Sequence, residues 1–175
     1  MPEAVTAALA GPVHEEPAPS PRLTLASAVP KGDRAEWLVE QASQLNVTDL
    51  RWLACERGVV KPQEGGGKLG KWRRLAIESA KQCGRTHLLQ IHALAPLAEV
   101  LRDAAGRGEQ VLWLEPREDG SSLRIVEALA EMPPETRFLA LVGPEGGWSS
   151  AEAAVLEGAA QGGPARVGAT GFPDR

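Results

Sequence analysis

Cysteine is scarce in this 175-residue chain: Cys55 and Cys83 are its only two, with no Cys-x-x-Cys pair and no histidine at ligand spacing from either. That pattern excludes a disulfide framework and a zinc site and leaves both as small core residues. Long apolar runs are equally absent. No window approaches the ~18 consecutive apolar residues of a membrane-spanning helix, and Met1 to Ser20 has neither a basic nor an apolar targeting region. A cytoplasmic protein with no membrane partner and no metal is expected. The chain also lacks a Gly-x-Gly-x-x-Gly fingerprint, a Gly-Lys-Ser/Thr phosphate loop and a Gly-x-Ser-x-Gly elbow, which removes the usual dinucleotide, P-loop and hydrolase readings. Of three histidines, His14 lies in a Pro-rich stretch, and His87 and His92 flank an apolar strand where a structural role is the better reading.

What is present is ordinary for one globular domain: 43% hydrophobic residues, 24% charged residues and a net charge of -4. The charge is unevenly spread. Between Arg51 and Arg85 there are nine Lys and Arg against Glu56, Glu64 and Glu78, a local +6, so the remainder carries -10. Such a stretch is either the footprint of a nucleic-acid partner or a solvated helix face.

Residues 1–21, with Pro12, Pro17, Pro19 and Pro21, read as a linker. From there strands and helices alternate. Leu23 to Ala28 reads as a strand, and Asp33 caps a helix to Leu45 with Trp37, Leu38, Gln41, Ala42 and Leu45 as its apolar stripe. Asn46 ends it, and Val47 to Cys55 reads as the next strand. After Pro62 and Gly65-Gly66-Gly67 comes the longest helix, with Leu69, Trp72, Leu75, Ala76, Ala80 and Cys83 inward and Gly84 as its stop. Lys71, Arg73, Arg74, Lys81 and Arg85 point outward. A short strand from Leu88 to Ile91, a helix from Ala95 to Ala105 and a strand from Val111 to Leu114 follow. A helix opened by Ser121 or Ser122 runs to Glu131, Arg137 to Val142 is a strand, and Ser149-Ser150 with Glu152 opens the last helix, to about Gly158. This rhythm predicts an α/β domain with a mainly parallel sheet.

The sharpest local feature is Phe138-Leu-Ala-Leu-Val142 running into Gly143-Pro144-Glu145-Gly146-Gly147-Trp148-Ser149. A buried strand, a glycine-rich turn and a helix start place backbone N–H groups at the carboxyl edge of a sheet, where open α/β sheets bind ligands. An ordinary strand-to-helix turn is the alternative. Trp37, Trp52, Trp72 and Trp113 fall on apolar stripes and are expected in the core, whereas Trp148 has a claim to a pocket.

Two segments resemble the 16S ribosomal RNA uridine-N3 methyltransferases (ribosomal RNA small subunit methyltransferase E), members of the SPOUT superfamily. One is Lys71-Trp72-Arg73-Arg74 through Lys81-Gln82-Cys83-Gly84-Arg85; the other is Leu141-Val142-Gly143-Pro144-Glu145-Gly146-Gly147-Trp148-Ser149 with Glu152. Lys31-Gly32-Asp33-Arg34 leading to Trp37, and Gln41-Ala42-Ser43-Gln44-Leu45-Asn46-Val47, support it. The resemblance covers residues 22–158. It implies an S-adenosylmethionine-dependent transfer to uridine N3 on a knotted α/β domain over residues 22–160. It also implies small-subunit ribosomal RNA as partner, and a homodimer where the C-terminus is complete. By position, Leu114, Glu115, Gly143, Pro144, Glu145, Gly146 and Gly147 would line the cofactor site. Lys71, Arg73, Arg74 and Arg85 would face RNA, and Glu145 is the one candidate proton acceptor, although a structural role in holding the turn is its better reading.

Three departures bear on that implication. The family carries an N-terminal PUA-like RNA-binding domain, of which residues 1–21 would be a remnant. Residues 161–175 do not resemble the family's closing strand and helix, and their breakers predict that they supply neither, leaving the domain incomplete. Leu89, Gln41 and Asn46 replace residues usual in the family. A non-catalytic remnant with an RNA-binding surface is therefore the alternative reading, while an unrelated nucleotide-binding protein would need a phosphate anchor at the glycine turn that the chain does not have.

Overall fold

A computed structural model of the chain describes residues 6, 8–13, 15–60, 67–114, 132–160 and 166–167. Seven strands form one sheet: β1 (Arg22–Ala28), β2 (Asp49–Ala54), β3 (Gln90–Ile91), β4 (Ala95–Pro96), β5 (Gln110–Leu114), β6 (Arg137–Val142) and β7 (Arg166–Val167). Their order is β3-β2-β1-β6-β5-β7, with β4 also on β2, and every pairing is parallel. The helices are α1 (Arg34–Gln44), α2 (Lys68–Gln82), α3 (Leu97–Gly106) and α4 (Ser150–Ala160). The expected helix over residues 121–131 lies outside the described residues.

Period-two alternation divides the strands between two cores. On one face Ala26, Ala28, Leu53, Trp113, Leu139 and Leu141 meet Val100, Leu101 and Ala104 of α3 and Leu156 of α4. On the other, Leu50, Trp52 and Ile91 meet Val39 and Ala42 of α1 and Trp72 and Ala76 of α2. Trp52 and Trp72 are in tilted contact, ring centroids 4.8 Å apart. Ser43 Oγ donates to the Ala76 carbonyl at 2.9 Å, joining α1 to α2. Asn46 (φ 65°) and Gly84 (φ 68°) take the left-handed conformation that ends their helices. No helix among the described residues is long and apolar enough to cross a membrane.

Several expectations are corrected. The buried side of α1 is Ala35, Val39, Ala42 and Ser43, not the stripe through Trp37 and Leu45, which are 61% and 73% exposed. Two nearly opposed apolar tracks exist on this helix, and the large residues occupy the outer one because small ones let α1 approach the sheet and α2. Asp33 stands at the cap position, but its side chain makes no capping hydrogen bond. Cys83 is exposed, while Cys55 is buried as expected. The stretch Leu88 to Ile91 pairs only at Gln90–Ile91, and Ala95–Pro96 form a further strand ahead of α3. The tail does supply a strand: Arg166 and Val167 pair with Trp113 and Leu114 of β5. A two-residue ladder needs little hydrophobic pattern, so breakers on either side of it did not forbid pairing.

The difference between the sheet core and the outer track of α1 yields a stability contrast. Leu139 is fully buried at the sheet centre, so Leu139→Ala is expected to lose about 2–5 kcal/mol in urea denaturation. Leu45→Ala, on the outer track, should stay within about 0.5 kcal/mol of the parent chain.

Candidate functional site

Because all strands are parallel, the ends of β1, β6, β5 and β7 lie along one edge of the sheet. β6 sits between β1 and β5, and the chain leaves these neighbours on opposite faces: β1 exits into α1, while β6 exits through residues 143–149 into α4 on the α3 face. A strand pair whose exits diverge opens a crevice between them, the usual ligand position of open α/β sheets.

The exit turn of β6 is built from contacts that leave little freedom. A Cβ at Gly143 would lie 2.8 Å from the Trp148 ring, so a side chain there must displace the indole. Gly147 has φ 71°, and its N–H donates to the Pro144 carbonyl at 2.9 Å. Arg57 Nη1 donates to the Gly146 carbonyl at 3.0 Å. The expected helix start is a capping box: Ser149 N–H donates to Glu152 Oε2 at 2.8 Å, and Glu152 N–H donates to Ser149 Oγ at 3.2 Å. The second carboxylate oxygen of Glu152 accepts the Glu56 N–H at 2.9 Å, tying the loop after β2 to the start of α4.

Of the residues with a sequence-based cofactor assignment, Leu114 ends β5 and pairs on one side with Val142, the residue before Gly143, and on the other with Val167. Three strand ends and the glycine turn are thus adjacent. Glu115 lies outside the described residues. The Glu145 side chain leaves the turn and reaches Arg34 Nη1 at 3.9 Å, with both groups more than half exposed. Among the described residues it makes no hydrogen bond to the turn that its expected structural role would require.

Beside the turn, at the divergence of β1 and β6, is a cleft of about 480 Å³. Residues 27–30 form one wall, residues 142–145 the other, and Arg34, Trp37 and Leu38 of α1 complete it. Trp52, Trp72 and Trp113 are core residues as expected, but the expectations for Trp37 and Trp148 are reversed. Trp37 lines the cleft, whereas Trp148 is partly buried against the core and over Gly143. The signal for Trp37 was its place three residues after Arg34, on the outer track of α1, but either track alone satisfies helical periodicity.

The basic residues of α2 lie away from the buried stripe. Lys71 pairs with Glu36 of α1. Arg73 donates from Nε (3.3 Å) and Nη2 (3.0 Å) to the Ile91 carbonyl, and Arg85 from Nε (3.2 Å) and Nη2 (2.7 Å) to the Gln44 carbonyl. Arg74 is exposed and has no such partner among the described residues. Arg51, part of the basic stretch, is buried in β2 and pairs with Asp103 of α3 at 2.6 Å. His92 is structural as read: its Nε2 lies 2.7 Å from Asp49 Oδ1, and this hydrogen bond, against opposing desolvation, holds the Asp49 carboxyl below its ordinary range. No cluster of metal-binding side chains occurs among the described residues.

Burial, aided by the nearby Glu152 carboxylate, pushes the Cys55 thiol up to about 11 from its ordinary 9.0. At a pH of about 8, iodoacetamide is expected to modify Cys83 alone, and Cys83→Ser should leave the folded chain unlabelled. The folded thiol keeps a proton that the unfolded one releases. Its contribution to stability is therefore complete below pH 9.0 and is lost as the pH rises to about 11. Cys55→Ala should flatten that alkaline slope in urea denaturation.

Comparison with known proteins agrees with this architecture. A family model described as RNA methyltransferase domain matches residues 16–169, beyond both expected boundaries at 22 and 160. Ribosomal RNA small subunit methyltransferase E of Synechocystis is 29% identical over 130 residues, 74% of this chain and 42% of the relative. Its namesake from Bacillus subtilis is 26% identical over 136 residues, 75% of this chain and 52% of the relative. The chain thus spans about half the length of these curated relatives. A Legionella pneumophila methyltransferase solved with bound SAM superposes with a TM-score of 0.72 at 27% identity, covering 89% of this chain and 61% of that one. Ribosomal RNA small subunit methyltransferase E of Neisseria gonorrhoeae, bound to S-adenosyl methionine, superposes at 0.69 and 21% identity, covering 89% and 61%. The parallel sheet is that of the SPOUT-type methyltransferases, and the chain belongs to the RNA methyltransferase domain family.

Proposed function

We propose that the chain carries out S-adenosylmethionine-dependent methylation of uridine N3 in 16S ribosomal RNA, in the cytoplasm and as a homodimer. The observation that carries this reading is the convergence of Leu114, Val142 and Val167 at one edge, in register, with the glycine turn continuing from Val142. The curated relatives, ribosomal RNA small subunit methyltransferases, and the two similar structures that hold S-adenosylmethionine support the RNA class and the cofactor.

The described residues suit this cofactor. S-adenosylmethionine has no phosphate, and the turn has no phosphate anchor but leaves open backbone at Gly147, where a Cβ would meet nothing within 4 Å. Leu114, Glu115, Gly143, Pro144, Glu145, Gly146 and Gly147 would hold it, and when bound it supplies an electrophilic methyl group. The chain's own tasks are to exclude water, orient the acceptor and remove the N3 proton. Glu145 is the turn's single carboxylate and lies at the cleft wall. Its Oε1, oriented by Arg34, would take that proton. Among the basic residues, Arg74 is the most available to a phosphate, and Lys71, Arg73 and Arg85 would add field from the same side while bracing α2.

Calorimetric titration with S-adenosylmethionine and transfer of a labelled methyl group to small-subunit RNA test the reading. Saturable binding and incorporation at uridine N3 are expected. Glu145→Gln should lower turnover by about 10²–10⁴-fold with cofactor affinity nearly unchanged. A folded chain that binds no cofactor would leave the non-catalytic RNA-binding reading in place.

A further inference from the structure

The glycine turn has two sides. One faces the ends of β5 and β7, where the proposed function puts the cofactor; the other faces the cleft at the ends of β1. We infer that this cleft receives a single unstacked nucleobase of the RNA, a uracil, with Trp37 as the platform on which the ring stacks. The inference rests on the methyltransferase reading and adds to it where the acceptor sits and which residue positions it.

Four observations carry it. The cleft lies where β1 and β6 send their chains to opposite faces, and its volume of about 480 Å³ falls within the ~300–1,000 Å³ of small-ligand sites. Trp37 is 61% exposed on a helix whose packing side is satisfied by smaller residues. An indole left in water beside a crevice is an unused stacking surface, and single-stranded RNA is recognised by splaying bases onto such rings. The remaining walls, Ala28, Val29, Pro30, Leu38 and Pro144 among them, are apolar and suit a flat ring. The charged groups are Arg34 and Glu145, with Lys31 exposed nearby, and the Ser27 hydroxyl in the same lining donates to the Ala28 carbonyl at 2.8 Å. Cations near the mouth complement the phosphates on either side of a flipped nucleotide. Within the cleft, the Glu145 carboxylate accepts the imide N3–H of uracil, which cytosine lacks, so base choice and the position of N3 come from one contact. A zwitterionic amino-acid moiety would instead require charged anchoring groups deep in the cleft, where Ser27 is neutral and its hydroxyl is already bonded to the Ala28 carbonyl.

The test uses the full chain and a short single-stranded RNA with one central uridine among cytidines, paired with the same RNA carrying an abasic site at that position, both at low salt. Trp37→Ala is expected to weaken binding of the uridine RNA by roughly 5- to 150-fold, and Trp37→Phe to recover most of it. The abasic RNA should bind the parent chain as weakly as the uridine RNA binds Trp37→Ala, and the two changes together should cause no further loss. Because Trp37 is exposed, the variants should keep the parent's thermal midpoint and its S-adenosylmethionine affinity. Equal RNA affinity for Trp37→Ala and the parent, additive losses, or a parent chain that fails to bind the uridine RNA would overturn the assignment. So would a Trp37→Ala variant whose only change is its sedimentation mass, which would make the cleft a contact between copies. Absence of S-adenosylmethionine binding alongside the expected RNA results would instead remove the methyltransferase reading and leave the base site standing.

Discussion

Gly143 has no room for a side chain, and the rest of the site depends on that contact. The Trp148 ring occupies the space a Cβ would take, 2.8 Å from its ideal position. The indole is itself partly buried against the core shared by α3 and α4. The chain leaving β6 is thereby held on the α3 face, while the chain leaving β1 turns to the opposite face into α1. The crevice between the two strands is a consequence of this divergence, and it would close if the β6 exit followed the β1 exit. A glycine followed five residues later by a tryptophan is thus a geometric device that shapes the carboxyl edge.

Polar tethers from distant segments then hold the turn in place. Arg57 reaches its Gly146 carbonyl, Glu152 joins the start of α4 to the Glu56 N–H, and Arg34 meets Glu145 from α1. Exposed ion pairs contribute only about 0–1 kcal/mol each, so Arg34–Glu145 does little for stability. Both of its members line the cleft, so the pair sets one cation and one carboxylate beside a largely apolar wall. The same economy applies to α2. Arg73 and Arg85 satisfy the carbonyls of Ile91 and Gln44, linking the helix to β3 and to the end of α1, so positive field and structural bracing come from the same residues.

The parallel α/β architecture was legible in the sequence because strand and helix periods alternate and because Asn46 and Gly84 stand at helix ends. The Ser149–Glu152 capping box was legible for the same local reason: its two hydrogen bonds span only three residues. What depended on long-range packing was not. Trp37 and Val39 both fit a helical stripe, and only the proximity of α2 and the sheet selects the smaller residue for burial. Trp148 looked like a pocket residue because it follows the turn, yet the lack of a Cβ at Gly143 draws it into the core. Two-residue strands such as β7 carry almost no pattern, since their pairing is set by neighbours far away in the chain. Arg51 counted toward a basic surface, although its strand position turns it inward to Asp103.

The central claim is that the ends of β5, β6 and β7 with the glycine turn form one cofactor edge. Amide hydrogen exchange of the whole chain, with and without S-adenosylmethionine, addresses it residue by residue. The account predicts slowed exchange confined to residues 112–115, 141–147 and 166–167, with the distant ends of the same strands unchanged. Protection by the cofactor that appears elsewhere and leaves residues 143–147 unaffected would contradict it.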